Sequence, residues 1–145
     1  MKPKFVDYIK KICVETSKLS TCISKQVGAV IVKDTRIIAI GYNGVPSKVK
    51  HCNEIFSKEN FDREKHHAWS KLNEYHAEEN ALLFCLRNGI NISNSIIFTS
   101  MSPCINCAKL IANSGIKELY YLEEYDKDSS GLDFLKNTDI VVKKV

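Results

Sequence analysis

Two short groups of polar residues in the second half of the chain constrain its fold more than any other feature. The first is His76-Ala77-Glu78, and the second is Pro103-Cys104-Ile105-Asn106-Cys107. Cys104 and Cys107 are three positions apart, so one helical turn presents both sulfurs on the same face. Imidazole and thiolate groups are common ligands of zinc. A fold that brings His76 to the two cysteines would therefore create a metal site.

Three protein ligands leave one position of a tetrahedral zinc ion open, which is typical of catalytic sites. Free backbone N–H groups at the predicted helix start favour thiolate at Cys104 and Cys107. Glu78 is too close to His76 in sequence for both to be needed as ligands, and its carboxylate suits proton transfer beside the metal. A structural zinc ribbon, the alternative for the cysteines alone, would need a fourth protein ligand. The order of the motifs is the signature of zinc deaminases.

The size and composition of the chain indicate a globular protein. Its 145 residues are the usual size of one domain, so we expect a single domain over residues 1–145. No run is long and apolar enough for a membrane span, and charged residues interrupt the stretch 1–11, so we expect a cytoplasmic protein. The net charge of +4 predicts solvated lysines rather than a nucleic-acid surface. Without an export signal, the six cysteines are metal ligands or reduced core thiols.

Hydrophobic patterns predict alternating helices and strands. The predicted helices cover residues 5–19, 76–88, 104–114 and 131–137. The predicted strands cover residues 27–32, 36–42, 95–99, 117–122 and 140–144. Residues 44–71 are polar and are predicted as a long loop held by something other than a hydrophobic core. The pattern favours an α/β fold with parallel strand pairing in its second half.

The two motifs resemble the zinc motifs of the deoxycytidylate deaminase family, and the likeness covers most of residues 20–125. It extends to Val27–Val32, Gly41-Tyr42-Asn43-Gly44-Val45-Pro46 and Asn113–Lys117. Cytidine, guanine and tRNA-adenosine deaminases share the zinc motifs but generally lack the Gly-Tyr-Asn-Gly-x-Pro segment. The resemblance implies a three-layer α/β/α cytidine deaminase-like fold with a five-stranded mixed sheet. It also implies zinc-dependent hydrolysis of dCMP to dUMP and ammonia, which feeds dTMP synthesis.

The resemblance assigns roles to individual residues. Zinc activates water for attack at C4 of cytosine, and Glu78 carries protons from that water to N3 and to the leaving amine. The backbone of Ala77 contacts the base, Asn43 binds the sugar–phosphate end, and Tyr125 closes over the substrate. Ser24 and Lys25 are further candidates for the phosphate.

The resemblance also implies a second, structural zinc site that orders the polar segment 44–71. Its four ligands would be Cys22, Cys52, His66 and Glu74. The adjacent His67 could replace His66 as a ligand. The other two cysteines, Cys13 and Cys85, lie at apolar helix positions and are predicted to be core residues.

Assembly and regulation are the remaining expectations from the family. The resemblance implies a homo-oligomer, most often a hexamer. It places Phe84 and Arg87 near the active site and the boundary between subunits. Activation by dCTP and inhibition by dTTP are implied through Gly41, Tyr42 and Gly44, because glycines permit close phosphate approach and positive φ.

Two alternatives remain open from the sequence. One is a zinc deaminase that acts on cytidine, deoxycytidine or a tRNA base, and the other is a zinc-binding module without catalysis. The second alternative is disfavoured by the intact Glu78.

Overall fold

The computed structural model describes residues 1–145, which form six helices and five strands. In chain order the elements are α1 (Pro3–Ser17), β1 (Gly28–Lys33), β2 (Arg36–Tyr42), α2 (Cys52–Ile55), α3 (Arg63–Asn73), α4 (Ala77–Arg87), β3 (Ile96–Met101), α5 (Ile105–Ala112), β4 (Glu118–Glu123), α6 (Ser130–Leu135) and β5 (Val141–Lys144). No helix has both the length and the apolar character needed to span a bilayer.

The five strands form one mixed sheet in the order β2-β1-β3-β4-β5. β1 is antiparallel to β2 and β3, whereas β3, β4 and β5 are parallel to one another. The α/β class, the mixed five-stranded sheet and the parallel second half are therefore confirmed. The β1–β2 turn places Asp34 and Thr35 at φ values of 49° and 60°, the left-handed conformation that matches the twist of a two-residue hairpin.

Alternate residues of β1 contribute to two separate cores, because successive side chains of a strand point to opposite faces. Val30 and Val32 pack in the core that includes Ile9 of α1. Ala29 and Ile31 pack in the larger core that includes residues of α4, α5 and α6. Helices therefore cover both faces of the sheet, which is the predicted three-layer arrangement.

α4 packs closely on β2 at Gly41. A Cβ atom at Gly41 would meet the carbonyl oxygen of Ala77 and would lie 2.6 Å from the backbone nitrogen of Ala81. Only Gly89 and Gly115 have positive φ among the glycines, so neither Gly41 nor Gly44 uses the positive φ that glycine permits. The close helix–strand contact gives Gly41 a packing reason instead.

Residues 44–71 are not one continuous loop, so the prediction for this segment is wrong. They include α2 and most of α3. The Asp62 carboxylate caps α3 by accepting hydrogen bonds from the N–H groups of Glu64 and Lys65, at 3.0 and 3.1 Å. His66 is the only buried residue of α3. A helix that buries one histidine has no apolar stripe, which explains why hydrophobic periodicity did not reveal it.

Candidate functional site

The starts of α4 and α5 bring the two sequence motifs together. His76 is the N-cap residue of α4, and Cys104 is the N-cap residue of α5, just after the carboxyl end of β3. The Glu79 carboxylate accepts a hydrogen bond from the His76 N–H at 3.0 Å. The Cys107 N–H lies 3.5 Å from the Cys104 sulfur, which places a helix-start amide on this thiolate as expected.

The geometry of this first cluster fits a zinc ion. Nδ1 of His76 lies 3.4 Å from the sulfur of Cys104 and 3.4 Å from the sulfur of Cys107. Tetrahedral zinc, with bonds of about 2.3 Å to sulfur and about 2.0–2.1 Å to nitrogen, places such atoms roughly 3.5 Å apart. The three side chains could therefore hold zinc without rearrangement and leave one coordination position open.

The histidine and the two cysteines of the first cluster shift one another's pKa values. The contact with Cys107 lowers the pKa of the Cys104 thiol to about 4, so Cys104 is a thiolate near neutral pH. The contact with Cys104 raises the pKa of His76 to about 9 and raises the pKa of Cys107. Zinc binding requires a neutral His76 and an ionised Cys107, so a bound zinc ion would displace one proton from each of these groups.

Glu78 is the second residue of α4 and is almost completely buried, with 3% of its surface exposed. Burial raises the pKa of its carboxyl group. The residue lines the same cavity as His76 and Cys104. A buried carboxyl group with a raised pKa, beside a metal site, is suited to accepting and returning protons.

A cavity of about 510 Å³ opens over the first cluster. It is lined by all five of the residues predicted to contact substrate or phosphate: Ser24, Lys25, Asn43, Ala77 and Tyr125. The sequence prediction therefore selected residues that the fold gathers around one space, although they come from four separate segments.

Asn43 organises one wall of the cavity. Its Oδ1 accepts a hydrogen bond from the Val27 N–H at 2.8 Å, and its Nδ2 donates to the Lys25 carbonyl at 2.8 Å. Its own carbonyl accepts from the Ser20 hydroxyl at 2.8 Å. Asn43 thus fixes the loop that carries Lys25, whose Nζ lies 4.9 Å from the centroid of the Tyr125 ring.

The other residues of the Gly-Tyr-Asn-Gly segment contact α4 and the two-residue segment before it. The Tyr42 carbonyl accepts a hydrogen bond from Asn80 at 2.8 Å. Gly44 exchanges backbone hydrogen bonds of 3.0 and 2.8 Å with Tyr75, the residue before His76. Gly41, Tyr42 and Gly44 do not line the cavity, nor do Phe84 and Arg87, which are exposed on α4.

A second cluster consists of the four predicted residues Cys22, Cys52, His66 and Glu74, whose ligand atoms all lie within 4.8 Å of one another. Nε2 of His66 lies 3.4 Å from the Cys52 sulfur and 3.6 Å from the Cys22 sulfur. These distances also match tetrahedral zinc, so the donor set fits a metal with four protein ligands. His67 is exposed and lies outside the cluster, so the geometry selects His66.

Aromatic rings surround the histidine of the second cluster. The ring centroids of Phe56, Phe61 and Trp69 lie 5.2, 5.1 and 6.1 Å from that of His66. Phe56, Phe61 and Trp69 thus pack around a buried histidine in a segment that has few other buried side chains. Cys13 and Cys85 are buried outside both clusters, which confirms their prediction as core residues.

Sequence reasoning missed two basic residues that line the cavity, Arg63 and Lys127, and considered a third, His67, only as a metal ligand. Arg63 and His67 belong to α3, which was predicted as loop. The sequence did contain a local signal for α3. Asp62 followed by Glu64 is typical of a helix start, with an N-cap aspartate and an acidic first turn. Recognising α3 would have placed Arg63 on the same side of a helix as His66.

Comparisons with known proteins agree with this geometry. The family described as the cytidine and deoxycytidylate deaminase zinc-binding region matches residues 3–123. The deoxycytidylate deaminase of Enterobacteria phage T4 is 40% identical, over 94% of this chain and 88% of its own length. That of Saccharomyces cerevisiae is 33% identical, over 99% of this chain and 46% of its own length.

A solved structure matches the whole fold. The dCMP deaminase of cyanophage S-TIM5, crystallised in complex with dCMP and dUMP, superposes with a TM-score of 0.85 at 32% identity. The match covers 100% of this chain and 99% of the phage protein.

Proposed function

Because this chain belongs to the cytidine and deoxycytidylate deaminase family, we propose that His76, Cys104 and Cys107 hold zinc in a cavity where dCMP is deaminated to dUMP. Relatives named deoxycytidylate deaminases match nearly the whole chain, and the similar phage structure contains dCMP and dUMP. The observation that carries the proposal is the buried Glu78 beside three zinc-type ligands in one cavity. The product is the substrate that dTMP synthesis requires.

Glu78 moves the protons of the reaction. A zinc ion held by His76, Cys104 and Cys107 would supply an activated water as the nucleophile for C4 of cytosine. The Glu78 carboxylate takes a proton from that water and delivers it to N3, so that the ring accepts attack. It then transfers the remaining proton of the added hydroxyl group to the exocyclic amine, so that the C4–N bond breaks, a carbonyl forms at C4 and ammonia leaves. The raised pKa of the buried carboxyl allows it to hold the proton between these transfers.

The other cavity residues bind and orient the nucleotide. The backbone at Ala77 contacts the base, and Asn43 supports the sugar–phosphate end through the loop of Ser24 and Lys25. Tyr125 closes over the substrate from the loop after β4, where its N–H donates to Ser102 at 2.7 Å. The placement of all these groups around one cavity supports their assignment.

The second cluster holds a structural zinc ion, so each chain carries two. Two thiolates, one imidazole and one carboxylate close the coordination sphere and leave no position for substrate. The cluster ties Cys22 to α2 and α3 and thereby orders a region with few buried apolar side chains.

The active form is a homo-oligomer, and a hexamer is expected from the family. Exposed Leu83, Leu86 and Leu110 lie along an apolar groove of about 750 Å³ that a second copy could cover.

Effector binding of dCTP and dTTP at the Gly41–Gly44 segment would act through its contacts with α4. Thiol ligands suit a reducing compartment, in agreement with a cytoplasmic protein.

A substrate panel tests the proposed function. Ammonia release is measured with dCMP, CMP, deoxycytidine and a single-stranded oligodeoxynucleotide under identical conditions. We expect kcat/KM for dCMP to exceed that for deoxycytidine by about tenfold or more, because a charged phosphate contact is worth about 1.5–3 kcal/mol. Preferred deamination of deoxycytidine or of the oligonucleotide would instead assign the chain to another zinc deaminase activity.

A further inference from the structure

Three cationic side chains line the cavity, and they come from three separate segments. Lys25 precedes β1, Arg63 is the first residue of α3, and Lys127 follows β4. Apart from Glu78 and Glu74, which belong to the proton-transfer and metal sites, Asp128 is the only acidic residue of the lining. The rest of the lining therefore has a net positive charge that suits an anionic substrate group.

Arg63 has no acidic partner. The four ion pairs of the chain are formed by other side chains, and no hydrogen bond is formed by the Arg63 guanidinium. Lys25, by contrast, already lies over the Tyr125 ring. A guanidinium presents a planar set of donors that can bind two phosphate oxygens at once. Lys127 also forms no ion pair, but it carries a single ammonium group, so Arg63 is the cation of the cavity best suited to a phosphate contact.

The position of Arg63 on α3 is unfavourable for the helix itself. A cation in the first turn opposes the helix macrodipole, which favours negative charge there. The backbone N–H groups of Glu64 and Lys65 are not available to bind an anion, because both donate hydrogen bonds to the Asp62 carboxylate. An anion near this helix end would therefore be bound through the Arg63 side chain.

The second cluster fixes where Arg63 and Lys25 lie. Arg63 is three residues before His66, so the two side chains share one side of α3. Lys25 is three residues after Cys22, and its N–H lies 3.5 Å from the Cys22 sulfur. His66 and Cys22 are themselves only 3.6 Å apart at Nε2 and Sγ. Both cations are therefore attached to the second cluster by short, ordered connections.

We propose that Arg63 is a specificity-determining residue that binds the 5′-phosphate of the substrate, and that the second cluster positions it. This inference rests on the proposed deamination of dCMP. It gives the second cluster a role in substrate choice in addition to its structural role. A nucleoside without a phosphate would gain nothing from Arg63.

The test compares Arg63→Gln with Lys71→Gln. Both substitutions remove one positive charge from α3, but Lys71 lies in the last turn and does not line the cavity. We expect Arg63→Gln to lower kcat/KM for dCMP by about 10- to 100-fold, as for loss of a charged hydrogen bond. The same variant should leave kcat/KM for deoxycytidine unchanged, and Lys71→Gln should change neither value. Equal losses on both substrates, or no loss on dCMP, would overturn the proposal.

A binding measurement separates this proposal from the proposed function. Calorimetric Kd values for dCMP and deoxycytidine are measured in the Glu78→Gln background, with and without Arg63→Gln. The added substitution should weaken dCMP binding by about 10- to 100-fold and leave deoxycytidine binding unchanged. Wild-type protein that does not deaminate dCMP would refute the proposed function, whereas unchanged dCMP binding would refute the role of Arg63.

The positioning role of the second cluster has its own readout. Trp69 is the only tryptophan of the chain, and its ring lies 6.1 Å from that of His66, so its fluorescence reports on metal at this cluster. Cys52→Ala should change this fluorescence and weaken binding of dCMP more than of deoxycytidine. If the variant loses its metal but keeps the wild-type Kd for dCMP, the second cluster does not position Arg63 for phosphate binding. The Arg63→Gln comparison decides the main claim even where Cys52→Ala does not fold.

Discussion

At the scale of single residues, the first cluster is determined by its donors and their spacing. His76 and the two cysteines lie at helix starts, and the three ligand atoms are already at distances that zinc requires. The spacing of Cys104 and Cys107 could be predicted from the sequence because one helical turn fixes it. The contact between His76 and the cysteines could not be derived from periodicity, because it depends on how α4 and α5 pack.

Cys104→Ala should remove zinc and activity together. The variant deletes the ligand whose low pKa of about 4 makes it the thiolate of the cluster. Zinc content per chain, measured by atomic emission, should fall by one, and dCMP turnover should be lost. Cys85→Ala is the matched control, since Cys85 is a buried thiol outside both clusters. Full activity in a Cys104→Ala protein without zinc would exclude the assigned ligand set.

At the scale of elements, α6 supports the position of Cys104. A Cβ atom at Gly131 would meet the carbonyl oxygen of Pro103 and would lie 2.9 Å from the carbonyl carbon of Cys104. Gly131 therefore allows α6 to pack directly against the segment that carries a zinc ligand. The sequence offered no sign of this contact, because Pro103 and Gly131 are distant in the chain.

Gly131→Ala should destabilise the fold and weaken zinc binding, because overpacking costs about 1–3 kcal/mol and displaces Cys104. Gly44→Ala is the control, since an added Cβ there has no atom within 4 Å and φ is not positive. Thermal unfolding midpoints and zinc retention against a chelator measure both effects. Equal midpoints and equal zinc retention in the two variants would show that α6 does not hold the cysteine segment.

At the same scale, a metal ion at the second cluster is proposed to order residues 44–71. Cys52→Ala should lower the zinc content by one per chain, and proteolysis should then cleave the region of α2 and α3 faster. The Cys85→Ala variant should behave as wild type in both measurements. Fully loaded wild-type protein with one zinc per chain would end the two-zinc proposal.

The sequence predicted the five strands and four of the six helices, α1, α4, α5 and α6, with small shifts at their ends, because each carries an apolar pattern. The helix predicted over 76–88 is α4 (Ala77–Arg87), and the strand predicted over 36–42 is β2 (Arg36–Tyr42). α3 was missed because metal-type ligands and aromatic rings around His66, rather than an apolar stripe, hold it. The cavity residue Arg63 was missed for the same reason.

At the scale of the whole molecule, both clusters face one cavity. His76 and Cys104 of the first cluster, and Cys22 and His66 of the second, belong to its lining. Cys104 of the first cluster follows the carboxyl end of β3. Asn43, which follows β2, donates a hydrogen bond to the Lys25 carbonyl and so connects the loop that carries Cys22 to the same site. In the proposed function, one metal site serves the reaction while the other holds the wall that receives the rest of the nucleotide.

The central claim is that dCMP is deaminated at a zinc site with Glu78 as the proton carrier, and Glu78→Gln tests it most directly. Glu79→Gln is the matched control, because glutamine at this third helical position can still accept the hydrogen bond from the His76 N–H. dUMP and ammonia are measured together with the zinc content of each protein. The account predicts that Glu78→Gln keeps zinc but loses turnover by about a hundredfold or more, while Glu79→Gln stays near the wild-type rate. A zinc-loaded Glu78→Gln protein with the wild-type rate would contradict it.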